Sequence, residues 1–193
     1  MIDKLKGLFR DGSFRPWLGL SALLFVVGII ISILPLESLR NLFVGQIAGL
    51  RELASVHPPY SLSTFIFILF KNAVSLIVSF TLSPLLGIVP LISLFANGWL
   101  LGYVAVLTTN QKSLLFLLLG ILPHGIFEIP AFFIGEAAAL NFGTAVIIAV
   151  FKHEKRAELS QNIRQNMLRL AVAMALLVPA ALIETYITPR LIG

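Results

Sequence analysis

The 193-residue chain is 58% hydrophobic and 12% charged, with a mean hydropathy of +0.98. Soluble domains carry about 25% charged residues, so this composition excludes an ordinary soluble protein and gives room for five or six membrane spans of about 20 residues each. Cysteine is absent, which excludes disulfides, thiolate metal sites and thiol nucleophiles. The net charge of +5 comes from basic residues that flank apolar segments, so we expect the lipid bilayer and not nucleic acid as the partner.

The first predicted span covers residues 16–36. Pro16 suits the first turn of a helix, and Trp17 suits the membrane interface. The run is as long as a full span and has no small-residue cleavage site, which favours a retained helix over a signal peptide. The basic residues before it favour a cytoplasmic N-terminus: Lys4, Lys6, Arg10 and Arg15.

The next segments combine apolar runs with polar interruptions. Residues 37–56 alternate apolar and charged positions at helical spacing, which predicts an amphipathic helix on the membrane surface. The second predicted span, 61–83, has Lys71 and Asn72 near its middle. The third, 91–107, contains Asn97.

Residues 114–151 form a long apolar run with no conventional loop. A straight helix of that length would reach about 57 Å, whereas a hydrocarbon core is about 30 Å thick. We therefore expect a broken or re-entrant segment together with a fourth span, with the break at one of four helix-disturbing residues: Gly120, Pro123, Gly125 or Pro130. A single net crossing also keeps the basic segment 152–169 on the same side as the N-terminus.

A fifth span is predicted at 170–187. The expected fold is thus all-α: one polytopic transmembrane helical bundle over residues 1–193, with about five spans, one broken or re-entrant segment and one amphipathic helix. We expect it to be multi-pass in the cell membrane.

Ionisable and polar residues at membrane depth are the candidate functional residues, because each is costly unless it is paired or buried. The predicted intramembrane polar cluster comprises Lys71, Asn72, Asn97, His124, Glu128 and Glu136. His124 and Glu128 lie four apart and share one helix face. A hydrogen-bonded structural pair is favoured, a proton relay or ion-coupling role comes next, and a metal site is least favoured because one histidine and one glutamate supply half a ligand set.

Two further expectations concern pairing and packing. A structural salt bridge between Lys71 and Glu136 is one expectation, but Glu128 and Glu184 compete for the same lysine, and spacing alone does not choose among them. Asn97 is expected to hydrogen-bond between helices. Small residues predict close helix packing inside the bundle, with a dimer interface as the alternative: Gly98, Gly102, Gly135, Ala139 and Gly143.

Catalytic templates fit poorly. The sequence has no H-E-x-x-H motif, no aspartate in a span and no phosphate-binding glycine loop. We therefore expect no enzymatic activity, no cofactor and no metal.

The run L-P-H-G-I-F-E-I-P-A, residues 122–131, resembles the stage II sporulation protein M family of integral membrane proteins. Asn97-Gly98 followed by Gly102 is similar to an asparagine-glycine signature of that family. Lys71-Asn72 lies where that family tends to have a polar pair containing asparagine. Lys71 departs from the family pattern, because asparagine is expected at its position. The family's namesake works with cell-wall-degrading partners in engulfment, and related proteins occur in organisms that make no spores.

The resemblance implies a non-enzymatic scaffold or assembly partner of a membrane complex. The alternative is a small ion- or proton-coupled transporter or channel that uses the His/Glu/Lys cluster. A membrane protein partner and a homodimer are both expected.

Overall fold

The computed structural model describes residues 7–9, 12–34, 37–38, 41, 43, 45 and 58–193. These residues contain helices and no strand. The helices are α1 (Arg15–Ser32), α2 (Leu62–Leu82), α3 (Ile88–Gln111), α4 (Leu114–Phe151), α5 (Arg156–Tyr186) and α6 (Thr188–Ile192), with a short 3₁₀ turn at His153–Lys155. Within this described part of the chain, five helical segments are long and apolar enough to cross a membrane, so the all-α bundle predicted from the sequence is confirmed.

Local sequence explains where several helices begin. The Ser61 and Ser113 hydroxyls accept hydrogen bonds from Thr64 N and Phe116 N, each at 3.1 Å, and so cap α2 and α4. Gly87 adopts φ +66° at the tight connection before α3, a conformation that glycine tolerates best. These three residues therefore set where α2, α3 and α4 begin.

Contacts between helices give their directions. α1 and α3 run in parallel, because Phe25 faces Gly98 and Ile29 faces Gly102. α2 and α4 are also parallel, since Gly135 faces Leu76 and Gly143 faces the Ser83 backbone.

The remaining contacts define the two ends of the bundle. α5 returns antiparallel to α4 and places Arg169 against Leu8 near the start of the chain. At the opposite end Thr188 of α6 lies beside His124, and Tyr60 N donates to Thr185 O at 3.2 Å. We call the end of the bundle that holds Arg169 and Leu8 the hairpin end, and the end that holds Thr188 and His124 the α6 end.

The predicted spans 16–36, 61–83 and 91–107 lie close to α1, α2 and α3, although α3 extends further in both directions. The amphipathic helix predicted at 37–56 falls mostly outside the described residues; the five described positions within it, 37, 38, 41, 43 and 45, are helical. The predicted fifth span, 170–187, lies largely within α5, a helix that already begins at Arg156 and so also includes most of the basic segment expected before the span.

The predicted break in 114–151 is wrong. α4 is a single helix of 38 residues that contains Pro123 and Pro130. A proline removes one backbone hydrogen bond and can bend a helix without ending it, and neighbouring helices offset that loss inside a bundle. Even at a tilt of 40°, a helix about 57 Å long spans about 44 Å, so its ends reach the headgroup region.

Small side chains allow α4 to lie at the centre of the bundle. Ala137, Ala138 and Ala139 are fully buried in one apolar cluster with Phe14 and Phe80. By contrast, large apolar side chains on the outer faces are exposed on every long helix, as lipid contact requires. α4 is therefore closely packed through small residues, while many of the bulky apolar side chains of the bundle face outward.

Candidate functional site

The first polar site lies on α4 at the α6 end and is built on His124 and Glu128. One helical turn brings His124 Nε2 to 3.8 Å from Glu128 Oε2. Their side chains are 14% and 32% exposed, so both are largely sheltered but not sealed. The structure thus brings together the pair that the four-residue spacing predicted.

Glu184 of α5 completes this site. His124, Glu128 and Glu184 each offer one atom that could bind a metal ion, and these three atoms all lie within 4.8 Å of one another. Glu184 was predicted only as a competing partner of Lys71, because about sixty residues separate it from His124. A signal was present, since Glu184 is the acidic residue of the last predicted span.

Two neutral side chains, Asn72 and Thr188, contact Glu128 and His124 and orient them within the site. Asn72 Nδ2 of α2 donates to Glu128 Oε1 at 3.0 Å. The Thr188 hydroxyl lies 3.4 Å from His124 Nδ1. Glu128 Oε2 and His124 Nε2 are thereby turned toward each other and toward Glu184, and we refer to His124, Glu128 and Glu184 as the carboxylate–imidazole site.

Lys71 interacts electrostatically with both carboxylates of this site, Glu128 and Glu184. It makes no ion pair within 4.0 Å among the described residues. Its side chain is exposed on α2. The lysine therefore supplies nearby positive charge without occupying the centre of the site.

Glu136 forms a second, separate site. Its side chain is 0% exposed, and its carboxylate accepts hydrogen bonds from Ser79 Oγ of α2 and from Ser93 Oγ of α3, the latter at 2.6 Å. The expected pair between Lys71 and Glu136 is wrong, because Lys71 lies two helical turns before Ser79 on a helix parallel to α4. The contacts of Ser79 and Ser93 with Glu136 were not predicted, because the sequence does not indicate which residue a serine in a span will contact.

Asn97 does not join helices as expected. Its Nδ2 donates to Ser93 O of its own helix at 2.9 Å, and the residue is exposed. The adjacent Gly98 faces α1, and one residue corresponds to a turn of about 100°, so Asn97 is directed away from that contact. The amide therefore points to the outer face of the bundle.

The predicted small residues face neighbouring helices of the same chain. A Cβ on Gly98 or Gly102 would meet α1, and a Cβ on Gly135 or Gly143 would meet α2 or the residue that follows it. Ala139 is fully buried. These positions explain how the helices approach closely enough for the polar contacts to form.

A third polar network lies at the hairpin end and was not predicted. Asn162 and Asn166 donate to Asn141 Oδ1 at 2.8 and 3.4 Å. The fully buried guanidinium of Arg169 donates to Asn166 Oδ1 at 2.8 Å and to Leu8 O at 2.9 Å. A surface cavity of about 640 Å³ next to this network is lined in part by Asn162, and it is distant from the carboxylate–imidazole site.

Comparison with known proteins identifies relatives of the chain. The sequence model of the family described as Stage II sporulation protein M matches residues 21–189. An uncharacterized protein of Methanocaldococcus jannaschii is 32% identical over 107 residues, which is 54% of this chain and 60% of that protein. This chain therefore spans less than two thirds of that relative's length. No solved structure matches the chain.

Proposed function

Because this chain belongs to the stage II sporulation protein M family of membrane proteins, we propose that it acts in the cell membrane as a non-enzymatic scaffold that assembles with a membrane-spanning partner. One observation carries the proposal: Asn97 is a polar residue exposed near the middle of a span. Asn97 is the tenth of the 24 residues of α3.

An amide that faces hydrocarbon is unfavourable, because its remaining donor and its acceptor have no partner there. Asn97 satisfies one donor within its own helix. The other amide hydrogen and the carbonyl oxygen point outward, where a second transmembrane helix can supply partners that lipid cannot. We infer that this face of α3 is covered by protein in the assembled state.

The polar interior supports the same function. Glu136 accepts two serine hydroxyls, and Asn141 accepts two asparagine amides. Each of these groups connects different helices, so they hold the bundle in one arrangement. A fixed arrangement suits a protein whose outer face recognises a partner.

The direct test is Asn97→Leu in the intact chain, with Asn110→Leu as the matched control. Both asparagines are exposed on α3, but Asn110 lies at its end. We expect Asn97→Leu to abolish crosslinking from a photoreactive residue at Leu101, which is partly exposed one helical turn beyond Asn97 on the same face of α3. Asn110→Leu should leave the crosslinking unchanged.

The crosslinked product also identifies the partner. A product at twice the 21.1 kDa chain mass would support a homodimer, whereas another mass would identify a different protein. The absence of crosslinks in wild-type membranes, or an equal yield with Asn97→Leu, would contradict the proposal.

We also propose that the N-terminus and the α4–α5 connection face the cytoplasm, because both carry basic residues and Arg169 joins them. The chain has no cysteine, so single cysteines can be introduced without further changes. Cysteines at Ser13 and Ser160 should react from the cytoplasmic side, and one at Leu191 from the other side. Labelling of Ser13 and Ser160 on opposite faces would refute this topology.

A second candidate function is ion- or proton-coupled transport, which the partly exposed carboxylate–imidazole site favours. Intramembrane histidine and glutamate are common parts of such pathways. The continuous α4 weighs against it, since transporters often bind ions at unwound helices. Liposomes with pH-sensitive and ion-sensitive dyes test it: flux that Glu128→Gln abolishes and the exposed Glu158→Gln retains would favour transport over the scaffold.

A further inference from the structure

We propose that His124, Glu128 and Glu184 bind a divalent transition-metal cation of the Zn²⁺ class. The inference extends beyond the scaffold function, because it assigns a ligand to a site that the scaffold function does not require. It starts from three potential donor atoms that converge from two helices, α4 and α5.

The spacing of these atoms fits an ion between them. His124 Nε2 and Glu128 Oε2 are 3.8 Å apart, which is too long for a hydrogen bond. Two ligands on a tetrahedral Zn²⁺ ion, each about 2.0–2.1 Å from the metal, lie about 3.4 Å apart. A shift of about 0.4 Å would therefore let this pair bind one ion, and Glu184 lies close enough to add a third ligand.

Neighbouring polar side chains also orient the candidate ligands Glu128 and His124. Metal-binding histidines and carboxylates usually hold an outer hydrogen bond that fixes their orientation. Asn72 Nδ2 occupies Glu128 Oε1 at 3.0 Å and leaves Oε2 free. The Thr188 hydroxyl is positioned 3.4 Å from His124 Nδ1, on the side of the ring away from Nε2.

The donor types select the class of cation. An imidazole nitrogen with two carboxylates suits Zn²⁺, Mn²⁺ or Fe²⁺, whereas Mg²⁺ and Ca²⁺ prefer oxygen ligands alone. A divalent ion also balances two carboxylates that are otherwise compensated by the ammonium of Lys71 from a distance. Three protein ligands leave a coordination position open for water or for a group from a partner.

The bound ion would join α4 to the end of α5, where α6 begins. It would therefore fix the α6 end of the bundle, as the asparagine–arginine network fixes the hairpin end. This gives the experiment two readouts, bound metal and thermal stability.

Metal content is measured first on detergent-purified full-length protein, without a polyhistidine tag, after equilibration with Zn²⁺ or Mn²⁺ and gel filtration. We expect about one ion per chain and a rise of the unfolding temperature of about 5 °C or more at saturating Zn²⁺, reversed by a chelator. Mg²⁺ should give neither effect. His124→Ala and Glu184→Gln should each lose the ion, and Asn72→Ala should weaken binding about 10–100-fold.

The control is His153→Ala, which removes an exposed histidine from the α4–α5 connection and should retain the ion. Lys71→Met should bind the cation more tightly, because it removes a positive charge near the site. Metal content or stabilisation that survives His124→Ala would overturn the proposal.

X-ray absorption of the Zn²⁺-loaded wild-type protein keeps the test decisive if a variant fails to fold. One imidazole with oxygen ligands supports the site. Two or more imidazoles, or none, would refute it, as would the absence of bound Zn²⁺ in the wild-type protein.

Discussion

Gly98→Ala tests whether the contact between α1 and α3 limits stability. The new Cβ would lie 2.8 Å from the Phe25 carbonyl carbon, and closer still to its oxygen. Because that neighbour is backbone, it cannot turn aside, and the helices must separate by about 1 Å or more to restore ordinary contact with the oxygen. A gap of that size forfeits about a quarter to a half of the dispersion energy of the atoms that face it.

The net effect combines two terms. Overpacking costs about 1–3 kcal/mol, while alanine recovers up to about 1 kcal/mol of helix propensity. We expect a net loss of about 1–2 kcal/mol, which lowers the unfolding temperature by about 2–8 °C. Gly120→Ala is the matched control, since nothing lies within 4 Å of its added Cβ; it should leave the unfolding temperature unchanged or raise it slightly.

Trp99 provides the signal for this assay. Its ring is buried and stacks on Tyr103, with the ring centroids 5.1 Å apart. The chain has two tryptophans, so Trp17→Phe leaves Trp99 as the single indole reporter. Equal melting temperatures for Gly98→Ala and Gly120→Ala in detergent would show that the close approach of these helices contributes nothing, and would refute the packing argument.

Two other predictions concern the buried polar groups. Ser79→Ala should destabilise the protein by about 1–3 kcal/mol, because it leaves an oxygen of buried Glu136 without its donor, and the effect on denaturant unfolding should vanish in a Glu136→Leu background. Arg169→Met should cost about 3 kcal/mol or more and release the segment around Leu8 to limited proteolysis, whereas the exposed Arg164→Met should leave the cleavage rate as in the wild type.

Local features of the fold were predictable from the sequence. Apolar runs predicted the spans, and the serines before α2 and α4 are residue types that commonly cap helices. The four-residue spacing of His124 and Glu128 predicted their contact, because that relation depends on helix geometry alone. The position of Asn97 in a span indicates that its amide needs a hydrogen-bond partner. The sequence does not show which face of α3 packs against α1, and in the structure that face contains Gly98 and not Asn97.

Contacts between distant parts of the chain were not predictable in the same way. Glu184 meets Glu128 only because α5 returns antiparallel to α4, and Ser79 meets Glu136 only because α2 and α4 run in parallel at a fixed register. Arg169 was predicted at the end of the basic segment 152–169, before the fifth span. It is fully buried, because its guanidinium contacts a backbone oxygen, an asparagine and the face of the Phe14 ring. A single sequence shows that a polar side chain in a span is energetically unfavourable without a partner, but it does not identify that partner.

The continuity of α4 explains why the costly residues gather on it. α4 contacts each of the other long helices and α6, so its turns can be supported from several sides. Pro123 and Pro130 therefore remove backbone hydrogen bonds on a helix that tertiary contacts stabilise, and interruption of the helix is not required to satisfy them. The same central position brings His124 against α6 and Glu136 against α2 and α3, which lets one helix hold polar groups at two depths. A break in α4 would leave the carboxylate–imidazole site and Glu136 on separate helices, whereas the continuous helix fixes the position of one site relative to the other.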